Sequence, residues 1–273
     1  MSRIQHILDK AERDGGLPRM RPIAEARSAA IGAPDDEEIP LLGPDLIGGR
    51  AHTMLEPGRS VRDTRIDPLL VVALAPDAPP SEQYRALRMR VSHADDGAPA
   101  HVLLVTSPGR REGKTLTAAN LALTMARDHQ RRICIVDADF RYPRMHRLFG
   151  LADGPGLADV LTGRFALPDA LTLIEDQQVT LLPAGHASAH PGELLGGPRM
   201  REVIDTLRSH FDGVVIDAPA AAPLADLGLL APLADRVVLV VRAGQTTKPA
   251  IQEAVAAIGA ERLLGIVLND SAN

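Results

Sequence analysis

Large rings are nearly absent from this chain: aromatic residues make up 2% of 273 residues, and there is no Trp. The core must therefore be aliphatic, and little is available to build a base-stacking surface for single-stranded nucleic acid. The one cysteine, Cys134, cannot form an internal disulfide; inside an apolar run it reads as a small core residue. No stretch reaches the ~18 apolar residues that a membrane-spanning helix needs. The first residues, MSRIQHILDKAERDG, lack the apolar segment of a signal peptide. Nor is there an excess of positive charge, since 30 Lys and Arg face 35 Asp and Glu for a formal net charge of -5, which argues against non-specific nucleic-acid binding. These absences predict a cytoplasmic chain with no nucleic-acid partner and no membrane span of its own. What remains, 45% hydrophobic and 24% charged residues, is ordinary for a globular protein.

The most informative stretch runs from Val102 to Thr124. Val102 to Val105 is a short apolar run that reads as a buried strand. A loop follows, Thr106-Ser107-Pro108-Gly109-Arg110-Arg111-Glu112-Gly113, and then Lys114-Thr115 opens an Ala- and Leu-rich segment with helical periodicity. Strand, glycine-containing loop and helix in that order make a phosphate-binding loop. The N–H groups of a helix's first turn have no internal partners and lie at the positive end of its dipole, so they bind phosphate oxygens. Lys114 adds a point charge near the outer phosphates, and the Thr115 hydroxyl is a candidate Mg²⁺ ligand. The textual pattern G-x-x-x-x-G-K-[ST] has Pro108 in place of its first glycine here. Arg110 and Arg111 either add charge to the phosphates or crowd the turn.

Along the chain, Ile4, Ile7, Leu8 and Ala11 share helical spacing, so Met1 to Arg13 reads as a short amphipathic helix. From Asp14 to Pro68 the composition is that of a flexible arm. Leu69 to Leu74 reads as a first strand, and Ser81 as the cap of a helix to about His93 that carries Glu82, Arg85 and Arg88 at steps of three. Ile133 to Val136 is a second buried strand ending in Asp137-Ala138-Asp139, two carboxylates at i and i+2 on the edge where open α/β sheets bind ligands. A short helix at Gly156 to Leu161 and a strand at Val179 to Leu182 follow, then His186 and His190, read as solvated loop histidines. Helical periodicity returns from Met200 to Leu207. Gly213 to Ile216 is a strand that delivers Asp217, a carboxylate able to hold Mg²⁺. Arg236 to Val241 and Leu263 to Leu268 are further strands around a helix at Thr247 to Ile258, and Asn269 can present its amide to a nucleotide base. Strand and helix alternate throughout, which predicts a three-layer α/β/α P-loop NTPase fold with a mostly parallel sheet over residues 69–273, preceded by the helix and arm of residues 1–68.

From about Leu69 to Asn269 the chain resembles the bacterial tyrosine kinases, a group within the MinD/ParA-like P-loop ATPases. The residues that carry the resemblance are Gly113-Lys114-Thr115 followed by an Ala-Asn-Leu-Ala run, the second Walker element from Ile135 to Arg141, the third from Val214 to Pro219, and Glu82-x-x-Arg85-x-x-Arg88. The resemblance implies ATP and Mg²⁺ as cofactors. It implies a nucleotide-binding loop of Gly109, Arg110, Arg111, Glu112, Gly113, Lys114, Thr115 and Leu116, and metal ligation by Thr115 and Asp217. Catalytic roles fall to Lys114, Asp137 and Asp139, with Asp137 accepting the proton of a tyrosine hydroxyl, whose free pKa of ~10 makes it a poor nucleophile at neutral pH. It implies self-association through Glu82, Arg85 and Arg88. It further implies a role in exopolysaccharide or capsule export with a membrane partner, a polysaccharide co-polymerase or chain-length protein that recruits the chain to the inner face of the membrane. Typical members end in a tyrosine cluster, whereas this sequence has Tyr84 and Tyr142 alone, so the acceptor is expected on a separate substrate. The alternative is an ATP-hydrolysing assembly switch without kinase activity. A MinD- or ParA-type positioning ATPase fits less well, because those proteins carry an extra lysine where this loop has Gly109.

Overall fold

The computed structural model describes residues 55–93, 100–128, 131–186, 190–221 and 226–270. The helix expected at Met1 to Arg13, and the arm as far as residue 54, lie outside them. The described residues form an eight-stranded sheet of β1 (Arg59–Val61), β2 (Val102–Thr106), β3 (Ile133–Asp137), β4 (Thr172–Ile174), β5 (Val179–Leu182), β6 (Gly213–Asp217), β7 (Arg236–Arg242) and β8 (Leu263–Asn269). Their order across the sheet is β1-β4-β5-β3-β6-β2-β7-β8. Every neighbouring pair is parallel except β4 with β5. Central strands are buried on both faces, as a parallel sheet covered by helices requires. Along β2, Val102 and Leu104 enter one core, while Leu103 and Val105 enter the other.

The long helices are α1 (Pro79–His93), α2 (Lys114–Ala126), α3 (Pro198–His210) and α4 (Lys248–Ile258). Helix α2 is rich in Ala and Leu, which favour helix, and is buried almost all round, from Thr117 through Ala126, between the sheet and α1. On the opposite face, α3 buries Met200, Val203, Ile204 and Leu207, the i, i+3, i+4, i+7 stripe of an amphipathic helix; it starts with Pro198 and carries Arg208 and His210 in its last turn. The mostly parallel three-layer fold is as expected.

Three local expectations are corrected. Leu69 to Leu74 is no strand: Val71–Leu74 forms one helical turn. A short apolar run cannot by itself distinguish strand from buried helix, and here α2 decides. The Val72 N–H donates to Asn120 Oδ1 (3.1 Å), the Asn120 amide donates to the Leu69 carbonyl (3.1 Å), and Arg127 donates to the Val72 carbonyl. Ser81 is no cap either, since α1 begins at Pro79 and the Ser81 hydroxyl donates to the Ala75 carbonyl at 2.7 Å. The folded region also begins before Leu69. Leu55 is buried in the core, and β1 pairs with β4, a strand that the sequence reading did not contain.

Candidate active site

Adjacent strands deliver the site. Strand β6 lies between β3 and β2, and the register sets Asp137 beside Asp217 and Val105 beside Asp217. The loops that leave β2, β3 and β6 therefore meet at one carboxyl edge, where ligands bind in open α/β sheets. The β2 loop turns into α2 through Gly113, whose φ of 99° is left-handed. A Cβ there would lie 2.2 Å from the Asn269 amide nitrogen, so glycine is required both by conformation and by space. Arg111 also sits in the left-handed region, at φ 62°. A non-glycine residue there costs roughly 1–2 kcal/mol and marks a loop shaped for something other than stability.

Lys114, Asp139 and Asp217 come together in the interior. The Lys114 ammonium donates to Asp139 Oδ2 at 2.7 Å, Asp217 Oδ1 at 3.4 Å and the Thr115 hydroxyl at 3.2 Å. Asp137 is fully buried one strand away, accepting N–H bonds from Asp139 (3.1 Å), Arg144 (3.3 Å) and Met145 (3.1 Å). Burial, reinforced by the charge of Asp217, pushes the Asp137 carboxyl well above the ordinary range; its N–H partners and Lys114 oppose this. Burial raises Asp217 as well, against the pull of Lys114 and Thr115. Burial would lower Lys114, but Asp217 and Asp139 outweigh it and hold the ammonium charged.

The oxygen donors suit Mg²⁺. Asp217 Oδ2 is buried with no hydrogen-bond partner, and the Thr115 hydroxyl is bonded to the same carboxylate. A buried anionic oxygen left unsatisfied beside a hydroxyl is what a hard divalent cation would complete. When bound, that ion would neutralise charge developing on transferring phosphate oxygens.

Other expected site residues are placed as follows. Leu116 lies in the first turn of α2 and packs against the core on its own face of the sheet. Arg110 and Arg111 are exposed and do not fill the loop; the Arg110 guanidinium lies over the Tyr142 ring, 3.6 Å from its centre. Glu112 folds back beside Gly109 and accepts from the Thr246 hydroxyl at 2.7 Å, with its second oxygen buried and unpartnered. Asn269 donates its amide to the Glu112 carbonyl at 3.0 Å, so it braces the phosphate loop from β8. Thr246 was missed by the sequence reading: Thr246-Thr247-Lys-Pro signals a helix start but says nothing of a bond to a residue in another loop. Asp226 was missed too; buried, it accepts from Arg141 at 3.0 Å. His186 is exposed in a loop as expected, and its ring nitrogen in addition bonds the buried Asp159 carboxylate at 2.9 Å. Glu82 and Arg85 pair with each other on the surface, whereas Arg88 turns inward to pair with Asp128.

No family model matches the chain. The "Tyrosine-protein kinase YwqD" of Bacillus subtilis is 30% identical over 213 residues, 77% of this chain and 90% of that protein. The chain belongs to the bacterial tyrosine kinases. "Putative tyrosine-protein kinase EpsB" of Ralstonia solanacearum is 33% identical over 186 residues, and "Succinoglycan biosynthesis transport protein ExoP" of Rhizobium meliloti is 31% identical over 204. The chain spans only about a quarter of those two longer relatives, 25% and 26%. Among solved structures, the chimerical protein CapA2B2 superposes with a TM-score of 0.72 at 29% identity, covering 79% of this chain and 94% of that one. The cell-division ATPase MinD of Pyrococcus furiosus has a TM-score of 0.53 at 26% identity, covering 62% and 71%. The chain thus has the fold of the bacterial tyrosine kinases, and MinD-like P-loop ATPases are similar to it over a smaller share of its length.

Proposed function

We propose that this chain transfers the γ-phosphoryl group of ATP to a tyrosine on a separate polypeptide. The observation that carries the reading is the convergence of Asp137, Asp139 and Asp217 on Lys114 beside the phosphate loop. Lys114 and the loop from Gly109 to Leu116 would hold the phosphates, and Thr115 with Asp217 would hold Mg²⁺. Asp137 is suited to the tyrosine proton because its burial raises its pKa toward the working pH, where a general base is most effective. Asp139 positions the Lys114 ammonium. The remaining rate enhancement comes from alignment and charge neutralisation.

A separate acceptor is favoured by the enclosure of Tyr84, and modification of the exposed Tyr142 is the outcome that would contradict it. Tyr84 packs against the core and its hydroxyl is bonded to Thr117 and Asn120, while Tyr142 is 49% exposed with the Arg110 guanidinium over one face of its ring. The names of relatives, ExoP above all, support a role in exopolysaccharide biosynthesis. In that role a membrane-bound polysaccharide co-polymerase would recruit the chain to the inner face of the membrane. Among the described residues, no helix is long and apolar enough to cross one. Glu82 and Arg85, exposed on α1, would contribute to self-association, with Arg88 fixing the helix they stand on.

The test is phosphotyrosine mapping by mass spectrometry after incubation with Mg-ATP and a tyrosine-containing polymer, with Lys114→Ala as control. Modified tyrosine in the wild type alone supports the kinase. The internal bonding of Tyr84 also fits a second reading, an ATP-hydrolysing assembly switch. ADP formation with no phosphotyrosine on any polypeptide would establish that reading and remove the first.

A further inference from the structure

At the far end of α2 from the phosphate loop, a cavity of about 130 Å³ opens between α1, the Val71–Leu74 turn and the end of α2. Its volume is several times what one water molecule needs. Arg85, Arg88 and Arg127 line it, with Val72, Ser81, Thr124 and Asp128. Arg85 is paired with Glu82 and Arg88 with Asp128. Arg127 is held instead by uncharged groups: the carbonyls of Val72 and Ala73 and the side chain of Gln177. Among the described residues no carboxylate is paired with it. A second observation is independent of that count: Arg88 Nε is buried and has no acceptor. Guanidinium groups gathered around a cavity, one without a counter-charge and another with an unused buried donor, are arranged as they would be around an oxyanion.

We infer that this cavity binds a phosphate-class oxyanion at a site separate from the phosphate loop. Lys114 and Arg127 are thirteen residues apart along α2, which at 1.5 Å per residue is about 20 Å. The negative end of the helix dipole lies nearby and opposes an anion by about half a charge; with Glu82 and Asp128 balancing Arg85 and Arg88, the full charge of Arg127 exceeds it. The mutual proximity of Arg85 and Arg127 supports the assignment. After burial, the charge of Arg85 is what lowers the Arg127 pKa, a repulsion that an anion between them would relieve. Two sources share this chemistry: free phosphate and the phosphoryl group of a phosphotyrosine.

Titrating the full chain with inorganic phosphate, followed by calorimetry in saturating Mg-ADP, tests the inference, because the nucleotide occupies the phosphate loop. The expected result is one remaining phosphate site, weakened about tenfold or more in Arg85→Gln and in Arg127→Gln, as expected for loss of a charge-assisted hydrogen bond. No remaining site, or equal affinity in wild type and both variants, overturns it. Arg127 also holds the Val71–Leu74 turn, so circular dichroism accompanies each variant, and Arg85→Gln decides alone if Arg127→Gln unfolds. If the chain binds no ADP, two phosphate sites remain in the wild type, and the arginine variants must still remove one of them. Phenyl phosphate binding more tightly than inorganic phosphate at this site assigns it to phosphotyrosine; binding no tighter assigns it to the free ion.

Discussion

Replacing Asp217 by Asn separates the demands of the site from those of the fold. Asp139 and Asp217 share one ammonium, that of Lys114, with the charge of Asp137 nearby, in an interior where Asp137 and Asp217 are 0% and 1% exposed. Asn has the same shape, can keep its carbonyl toward Lys114, and would place an amide N–H₂ where Asp217 Oδ2 now has no partner. The loss is the Lys114 attraction at 3.4 Å, while the shorter 2.7 Å pair with Asp139 stays. Removing one buried like charge should exceed that loss, stabilising the chain by about 1–2 kcal/mol, or roughly 2–8 °C in Tm for a domain of this size. Folding raises the Asp217 pKa, so its stabilising contribution is fully present only below the unfolded value of ~3.9 and is lost as pH rises toward the folded one. The ionised carboxylate is therefore a cost at neutral pH that the variant lacks, and the two melting curves should converge as pH falls toward about 4. Thermal unfolding with a chelator and no nucleotide, from acid to neutral pH, measures this, and Mg-ATP turnover should fall at least about a hundredfold. A variant that melts at or below the wild type at neutral pH, or a gap that does not narrow in acid, refutes the reasoning.

Gly113→Ala must adopt a left-handed φ and displace the Asn269 amide, so fluorescent-nucleotide titration should show at least about tenfold weaker ATP binding; unchanged affinity would contradict the loop geometry. Asp159→Ala removes a buried carboxylate that accepts the N–H groups of Gly156 and His186, at a cost of about 2–4 kcal/mol in urea unfolding at pH 7. Burial would raise Asp159, but its bonds to His186 and Gly156 hold it below the ordinary range. Its contribution is thus present above the unfolded pKa and is lost as pH falls through the folded one, so the deficit should fade below about pH 4; a deficit constant with pH would mean the charge is immaterial. Replacing Glu82, Arg85 and Arg88 together by Ala should leave the fold intact by circular dichroism and lower the mass in light scattering, and an unchanged mass would remove these residues from the interface.

The strands that position the site were legible because VLLVT, ICIVD, GVVID and RVVLVVR are short runs rich in β-branched residues and bounded by polar or turn residues, which favours buried sheet over helix. Asp137 and Asp217 could be placed on one edge because each closes such a strand and parallel strands share a carboxyl end. Strands β1 and β4, with sequences RSV and TLI, carry no such signal; they are strands because β5 offers β4 an edge and β4 in turn offers one to β1. Leu69 to Leu74 is as apolar as a strand, and only its contacts with Asn120 and Arg127 make it helical. The braces of the phosphate loop were out of reach for the same reason. Glu112 meets Thr246 and Asn269 across 134 and 157 positions of chain, and nothing local to either partner requires the contact. His186 is solvated as read, but its bond to Asp159 was not legible, because Asp159 looks like an ordinary acidic residue in the first turn of a short helix.

Helix α2 connects the two ends of the molecule's proposed chemistry. Its first turn supplies Lys114 and Thr115, and its neighbours at that end are the braces Thr246 and Asn269 acting through Glu112. Further along, Thr117 and Asn120 bond the Tyr84 hydroxyl, Asn120 grips Leu69 and Val72, and just past its end Asp128 pairs with Arg88. A helix packed on nearly all sides cannot bend or turn locally without opening voids in a close-packed core, so it keeps its shape from end to end. The orientation of α1, which carries Glu82 and Arg85, is consequently fixed by the same rod whose other end shapes the phosphate loop. A displacement of that loop would have to be accommodated either in the braces from β7 and β8 or in the seat of α1. The braces are single hydrogen bonds, one from Thr246 in the loop after β7 and one from Asn269 at the end of β8, whereas the seat of α1 combines an ion pair, the Tyr84 bonds and apolar packing. The first adjustment therefore falls on the side of Thr246 and Asn269, and α1 stays where α2 sets it.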